Sequence, residues 1–247
     1  MMKILPGLVS ATFKTKTPEE VIALAVKAGL KGIEWSENHH IPEKDYHYAS
    51  KVGSLTAISG LKIVQYGSYY RLGQGMDFKC RILNAQALGA KIIRIWGGNK
   101  PSNKVTEAEW ASMVQEAKTI ADLAKDAKLI VALEWHKNTV TDTNQSGLRF
   151  LQDVDRSNFR TLWQPNLAMP QKQREDGICV LGSKIVNLHI FHWDQSGRRP
   201  LSEGKEEWQG YFDALQPNYE GWALLEFVKD DSTEQFLKDA ETLKNWL

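Results

Sequence analysis

The chain has 247 residues, 42% of them hydrophobic and 25% charged, which is enough for one barrel or two smaller domains and excludes a disordered chain. Lys and Arg number 31 against 30 Asp and Glu, a net charge of +1 with no dense basic block, so a nucleic-acid partner is not expected. No run approaches a membrane span, and MMKILPGLVSATF is interrupted by Pro6, so it reads as a first strand and not a signal peptide. Cys80 and Cys179 are too few and too far apart for a disulfide framework or a zinc knuckle, and the expectation is a reduced, cytoplasmic protein without a membrane partner.

Taken in order, the expected strands are Lys3–Val9, Gly32–Trp35, Leu61–Tyr66, Lys91–Trp96, Leu129–Glu134, Phe159–Gln164, Ile185–His189 and Trp222–Glu226. Helical sequence separates them. Thr17, Pro18 and Glu20 form a capping box with proline at the first helical position, and Gly29 closes that helix. Thr106 and Glu109 open a second helix, whose Trp110, Met113, Val114, Ala117, Ile120, Ala121 and Ala124 recur on one face. Ser232 and Gln235 start a third, with Phe236, Leu237, Ala240, Leu243 and Leu247 as its buried stripe. Less strongly marked helices are expected at Lys44–Ile58, Phe78–Leu88, Gly147–Val154, Pro170–Leu181 and Glu203–Ala214. Strict alternation requires right-handed crossovers between parallel strands. With no linker-like segment in the chain, the expected fold is α/β: a single (β/α)8 TIM barrel domain spanning residues 1–247.

In such a barrel the chemistry sits at the carboxyl ends of the strands. Four late strands end in polar residues: Glu134, Gln164, His189 and Glu226. Three oxygen donors and one nitrogen donor suit a divalent metal, Mn, Mg, Co or Zn, better than a thiolate-seeking one. The other strand ends are polar and aromatic: Glu34, Trp35 and His40 after strand two, Tyr66, Tyr69 and Arg71 after strand three, and Trp96 after strand four. With Trp163 and Trp193 near the later ends, they suggest a carbohydrate-sized pocket in which aromatic faces stack on sugar C–H faces. His136 stands two residues past Glu134 and could bind substrate, orient Glu134 or bond a loop. Arg71, Arg198 and Arg199 could hold a phosphate. His192 competes with His189 for the ligand role, and strand alternation points the two in opposite directions.

The segments GIEWSENHHIP, YGSYYRLG, RIWGG, LEWH, LWQPN, NLHIFHWD and LLEF, in this order, resemble the xylose isomerase-like TIM barrels, most of all their sugar-phosphate isomerase/epimerase branch. That resemblance implies a metal held at Glu134, Gln164, His189 and Glu226, with Gln164 standing where the family usually has Asp. Leu167 stands where the family has a His, and His192 where some sugar epimerases have an acid. The implied activity is a metal-dependent sugar or sugar-phosphate isomerase or epimerase working through an enediolate, with Glu134 and Glu226 as the acid and base. Two alternatives stay open: a lyase or hydrolase of 3-oxo-glycosides acting by β-elimination at the same site, and a catalytically degenerate sugar-binding barrel. An apurinic endonuclease would need a His-rich zinc cluster and a basic groove, which six His and a net charge of +1 do not supply. The expected partner is a small-molecule carbohydrate, and a homo-oligomer is compatible with the sequence.

Overall fold

The computed structural model describes residues 2–247. Eight parallel strands close into a barrel: β1 (Lys3–Val9), β2 (Gly32–Ser36), β3 (Lys62–Arg71), β4 (Ile92–Trp96), β5 (Ile130–Glu134), β6 (Phe159–Trp163), β7 (Ile185–Ile190) and β10 (Glu220–Leu225). Neighbours in the barrel are neighbours in the chain, and β10 returns to pair with β1. Around them run α1 (Pro18–Lys27), α2 (Tyr46–Ile58), α3 (Phe78–Leu88), α4 (Glu107–Asp126), α5 (Asn144–Val154), α6 (Gln171–Leu181), α7 (Lys205–Ala214) and α8 (Thr233–Trp246). The fold is the (β/α)8 TIM barrel expected from the alternation.

Local chemistry sets the helix ends. Both capping boxes form: Thr17 with Glu20, and Thr106 with Glu109. Ser232 accepts from the Gln235 N–H to start α8. Gly29 follows α1 with φ +71, a conformation only glycine adopts without steric cost. No helix among the described residues is long and apolar enough to cross a membrane.

The chain departs from strict alternation once. After β7, a two-stranded antiparallel hairpin, β8 (His192–Asp194) with β9 (Gly197–Arg199), and a 3-10 turn at Leu201–Gly204 precede α7. Helix α7 therefore begins at Lys205 and not at Glu203, and His192 belongs to the hairpin instead of extending β7.

Strand alternation decides which residues face the lumen. Glu34 faces inward, so Trp35 must face the helices, where it is fully buried and its Nε1 donates to Thr56 of α2. Tyr66 likewise points outward, its hydroxyl bonded to Glu37 and Asn84. Trp163 packs edge-on against Trp208 and Tyr211 of α7. These three aromatics belong to the layer between barrel and helices and not, as the sequence suggests, to a sugar pocket.

Candidate active site

The barrel interior carries a polar layer where small barrels usually hold apolar side chains. Glu34 (β2), Gln65 (β3), Arg94 (β4), Asn187 and His189 (β7) are all buried, and they form one hydrogen-bonded chain. Asn187 donates to Gln65 Oε1 at 2.6 Å, and Gln65 donates to Glu34 Oε2 at 2.5 Å. His189 Nε2 lies 2.8 Å from the same Glu34 oxygen. Arg94 bridges two carboxylates, reaching Glu34 Oε1 at 3.3 Å and Glu134 Oε2 at 2.8 Å. Gly67 on β3 makes room for this pair: a Cβ there would strike both Glu34 and Arg94.

The charges follow from these contacts. Burial alone would raise the Glu34 carboxyl, but His189 and Arg94 hold its pKa down to about 2. Burial alone would lower the His189 imidazole, but Glu226 and Glu34 hold its pKa up at about 10. Burial likewise opposes the Arg94 charge, and Glu134 and Glu34 reverse that, pushing its pKa above the ordinary value.

At the carboxyl rim the four residues marked by the sequence fall into two pairs. Gln164 Nε2 donates to Glu134 Oε1 at 2.9 Å. His189 Nδ1 faces Glu226 Oε2 at 3.1 Å without the alignment of a hydrogen bond. Among the described residues, no three His, Cys, Asp or Glu side chains gather as a ready-made metal cluster. The donor set nevertheless fits a cation. Gln164 Oε1 is buried without a hydrogen-bond partner, and the buried His189 Nδ1 and Glu226 Oε2 face only each other. A carboxylate only accepts, so Gln164 must turn its N–H toward Glu134 and leave its own oxygen free. Two donors each about 2.1 Å from one ion stand about 3 Å apart when they are neighbours in its shell, close to the His189–Glu226 separation. Because a ligating imidazole nitrogen must be unprotonated, a metal and a proton compete for Nδ1.

Around this rim, Trp96 stacks on His136 at 4.9 Å with 16° between the rings, and the Arg71 guanidinium sits 3.5 Å from the Trp96 ring centre. Tyr69 packs edge-on against Trp96 at 5.9 Å, and its backbone N–H is held by Glu37 at 2.7 Å. Glu37 is in turn bound by the buried Arg81 of α3 at 3.0 Å. A recess of about 230 Å³ opens beside Gln164, between His136 and Phe227. Larger hollows exist at the amino-terminal mouth (about 480 Å³) and between the β3–β4 loops and α4 (about 340 Å³). Neither gathers several unpartnered buried acceptors as the carboxyl rim does.

Three other sequence expectations land elsewhere. His40 is buried with its Nε2 on the Lys16 carbonyl at 3.1 Å and its ring against Trp35, so it locks a loop. His192 faces Glu207 of α7 at 3.3 Å. Arg198 is committed to Asp231 at 2.5 Å, and Arg199 to Glu203 and Asp194. Both hairpin arginines thus carry ion pairs at partly exposed positions. Sequence reasoning missed Gln65, Arg94 and Asn187, although each interrupts an apolar strand at an inward-facing position.

Comparison with known proteins agrees with the barrel fold. The family described as xylose isomerase-like TIM barrel matches residues 22–246. A 3-dehydroshikimate dehydratase of Bacillus anthracis is 27% identical over 150 residues, 57% of this chain and 54% of that protein, so the match spans about half the relative's length. The crystal structure of a probable 3-DHS dehydratase from Bacillus anthracis superposes with a TM-score of 0.80 at 21% identity, covering 99% of each chain. That of a 3-keto-D-glucoside 4-epimerase from E. coli gives 0.76 at 13% identity, covering 99% of this chain and 100% of the other. These two likenesses are likenesses of fold. The family match covers nearly the whole barrel, and the chain belongs to the xylose isomerase-like TIM barrel family.

Proposed function

We propose that this protein is a divalent-metal-dependent enzyme that removes a proton beside a carbonyl group of a sugar-derived substrate, with isomerisation or epimerisation as the outcome. The observation that carries the reading is the buried Gln164 Oε1, which accepts no hydrogen bond, at the strand end next to the His189 Nδ1–Glu226 Oε2 contact of 3.1 Å. Held by Glu134, Gln164, His189 and Glu226, a Mn, Mg, Co or Zn ion would supply Lewis-acid polarisation of the substrate carbonyl.

The chain's own residues account for the remainder. Glu134 is oriented by Gln164 on one oxygen and by Arg94 on the other, and each oxygen keeps a second lone pair able to take a proton. Glu226 follows β10, three strands round the barrel from the β5 of Glu134, its Oε2 beside His189. One carboxylate can remove the proton and the other return it, as inversion of a centre requires. Arg71, Trp96 and His136 wall one side of the mouth, where a ring can stack and hydroxyls can bond.

The dehydratase relative favours a second reading. Removal of the same proton followed by loss of a β-substituent would make the protein a lyase, with a 3-oxo-glycoside as one substrate form. A panel of ketoses, aldoses and 3-oxo-glycosides incubated in deuterated buffer with added metal separates the outcomes. Deuterium beside the carbonyl with a rearranged or inverted sugar supports the first reading. Release of the β-substituent supports the second. Absence of exchange on the whole panel, with metal bound, would leave a binding protein.

A further inference from the structure

The recess beside Gln164 differs in character from the polar lumen. Its apolar wall is formed by Leu167 on the β6–α6 loop, Phe191 at the end of β7, Trp193 on the hairpin and Phe227 directly after Glu226, with His136, Lys137 and Asn166 on the remaining side. The three rings form an edge-to-face cluster, with centroids 5.4 Å apart for Phe191–Phe227 and Trp193–Phe227, and 6.0 Å for Phe191–Trp193. Phe227 holds φ at +53, a region a bulky residue occupies only when its surroundings impose it. That kink lies between the Glu226 side chain and the Phe227 wall, so consecutive residues serve the rim and the recess. Leu167 remains 42% exposed at the opening, an apolar side chain facing water. At the inner end lies Gln164, 6% exposed, with its Oε1 unpartnered.

We propose that this recess is the subsite for a flat, apolar substituent of the substrate, which makes the substrate a sugar-derived ketone carrying an aryl or similar ring. The inference rests on the proton-abstraction reading given above and narrows its substrate class. An apolar cavity of about 150 Å³ accepts benzene, so about 230 Å³ holds a substituted phenyl ring. The cations at the recess are Lys137 on its wall and Arg198, which is ion-paired with Asp231 and lies 5.4 Å from the Phe227 ring centre. Leu167 gives the recess an apolar lip that an aromatic face covers favourably. The free Gln164 oxygen can accept a hydroxyl at the junction between ring and sugar.

Benzyl alcohol is the probe, because it offers one ring and one hydroxyl and needs no particular sugar. Its affinity is measured by saturation-transfer NMR titration for the parent protein and for Leu167→Asp, with methanol as the ringless control. The expected result is saturable benzyl alcohol binding, absent for methanol and weakened several-fold by a carboxylate placed at the lip of the recess. Trp193→Ala, folded by circular dichroism, should weaken it similarly and serves if Leu167→Asp fails to fold. No saturable binding to the parent, or equal affinity in the variants, overturns the subsite. Binding with the expected selectivity alongside a protein that exchanges no substrate deuterium would instead fault the proposed chemistry, so the two failures are distinct.

Discussion

Gln164 gives its amide N–H to Glu134 Oε1 across 2.9 Å and keeps its own buried oxygen free. A carboxylate at position 164 would lose that donation and set two anions side by side, a repulsion that a bound cation relieves. Gln164→Asp should therefore make stability depend more strongly on metal. Thermal melts with manganese and with chelator are expected to differ by more in the variant than in the parent. An equal difference would mean that Gln164 stands outside the ion's reach.

Glu34 is the anion between Arg94 and His189. Glu34→Gln leaves two buried cationic groups with one carboxylate fewer, and breaking a buried pair costs about 3–5 kcal/mol. Urea unfolding should show a loss of that order. A loss below about 1 kcal/mol would mean that the interior relaxes enough for water to solvate the orphaned charges.

Gly67 is the space into which that pair fits. Gly67→Ala is expected to displace the Glu34–Arg94 contact, costing about 1–3 kcal/mol of stability through overpacking. Turnover should fall further, by roughly 10²-fold, because Arg94 also orients Glu134. Unchanged kinetics would detach Arg94 from the reaction.

The barrel was legible because eight apolar runs alternate with capped, periodic helices, and those signals are local. The rim was legible for the same reason: Glu134, Gln164, His189 and Glu226 each end an apolar run. What sequence reading lacked was the inward or outward sense of each strand. Once Glu34 is known to face the lumen, alternation sends Trp35 outward and brings Gln65, Arg94 and Asn187 into view. The hairpin at His192–Arg199 escaped because three-residue strands carry no measurable periodicity. The commitment of Arg198 to Asp231 is a contact across 33 residues that spacing cannot announce.

His40 offers a pH test away from the rim. Burial lowers its pKa below the ordinary 6.5, with His39 adding to the effect and the Lys16 carbonyl opposing it. The unfolded chain then binds more protons than the folded one below about pH 6.5, so stability is lost as pH falls through that range. His40→Gln keeps an N–H for the Lys16 carbonyl without titrating. Between about pH 7 and about pH 5 the parent should lose stability relative to the variant; parallel curves would contradict the assignment.

The most direct measurement is solvent deuterium incorporation into a turned-over substrate by the parent, Glu134→Gln and Glu226→Gln, each with metal content determined. The account expects turnover to fall by about 10²–10⁴-fold in each variant, with metal retained more weakly, because an amide oxygen can still reach an ion. It further expects at least one variant to keep exchanging deuterium without completing the reaction, the sign of one intact base. Full turnover in both variants, with metal content unchanged, would contradict proton transfer by this pair of carboxylates.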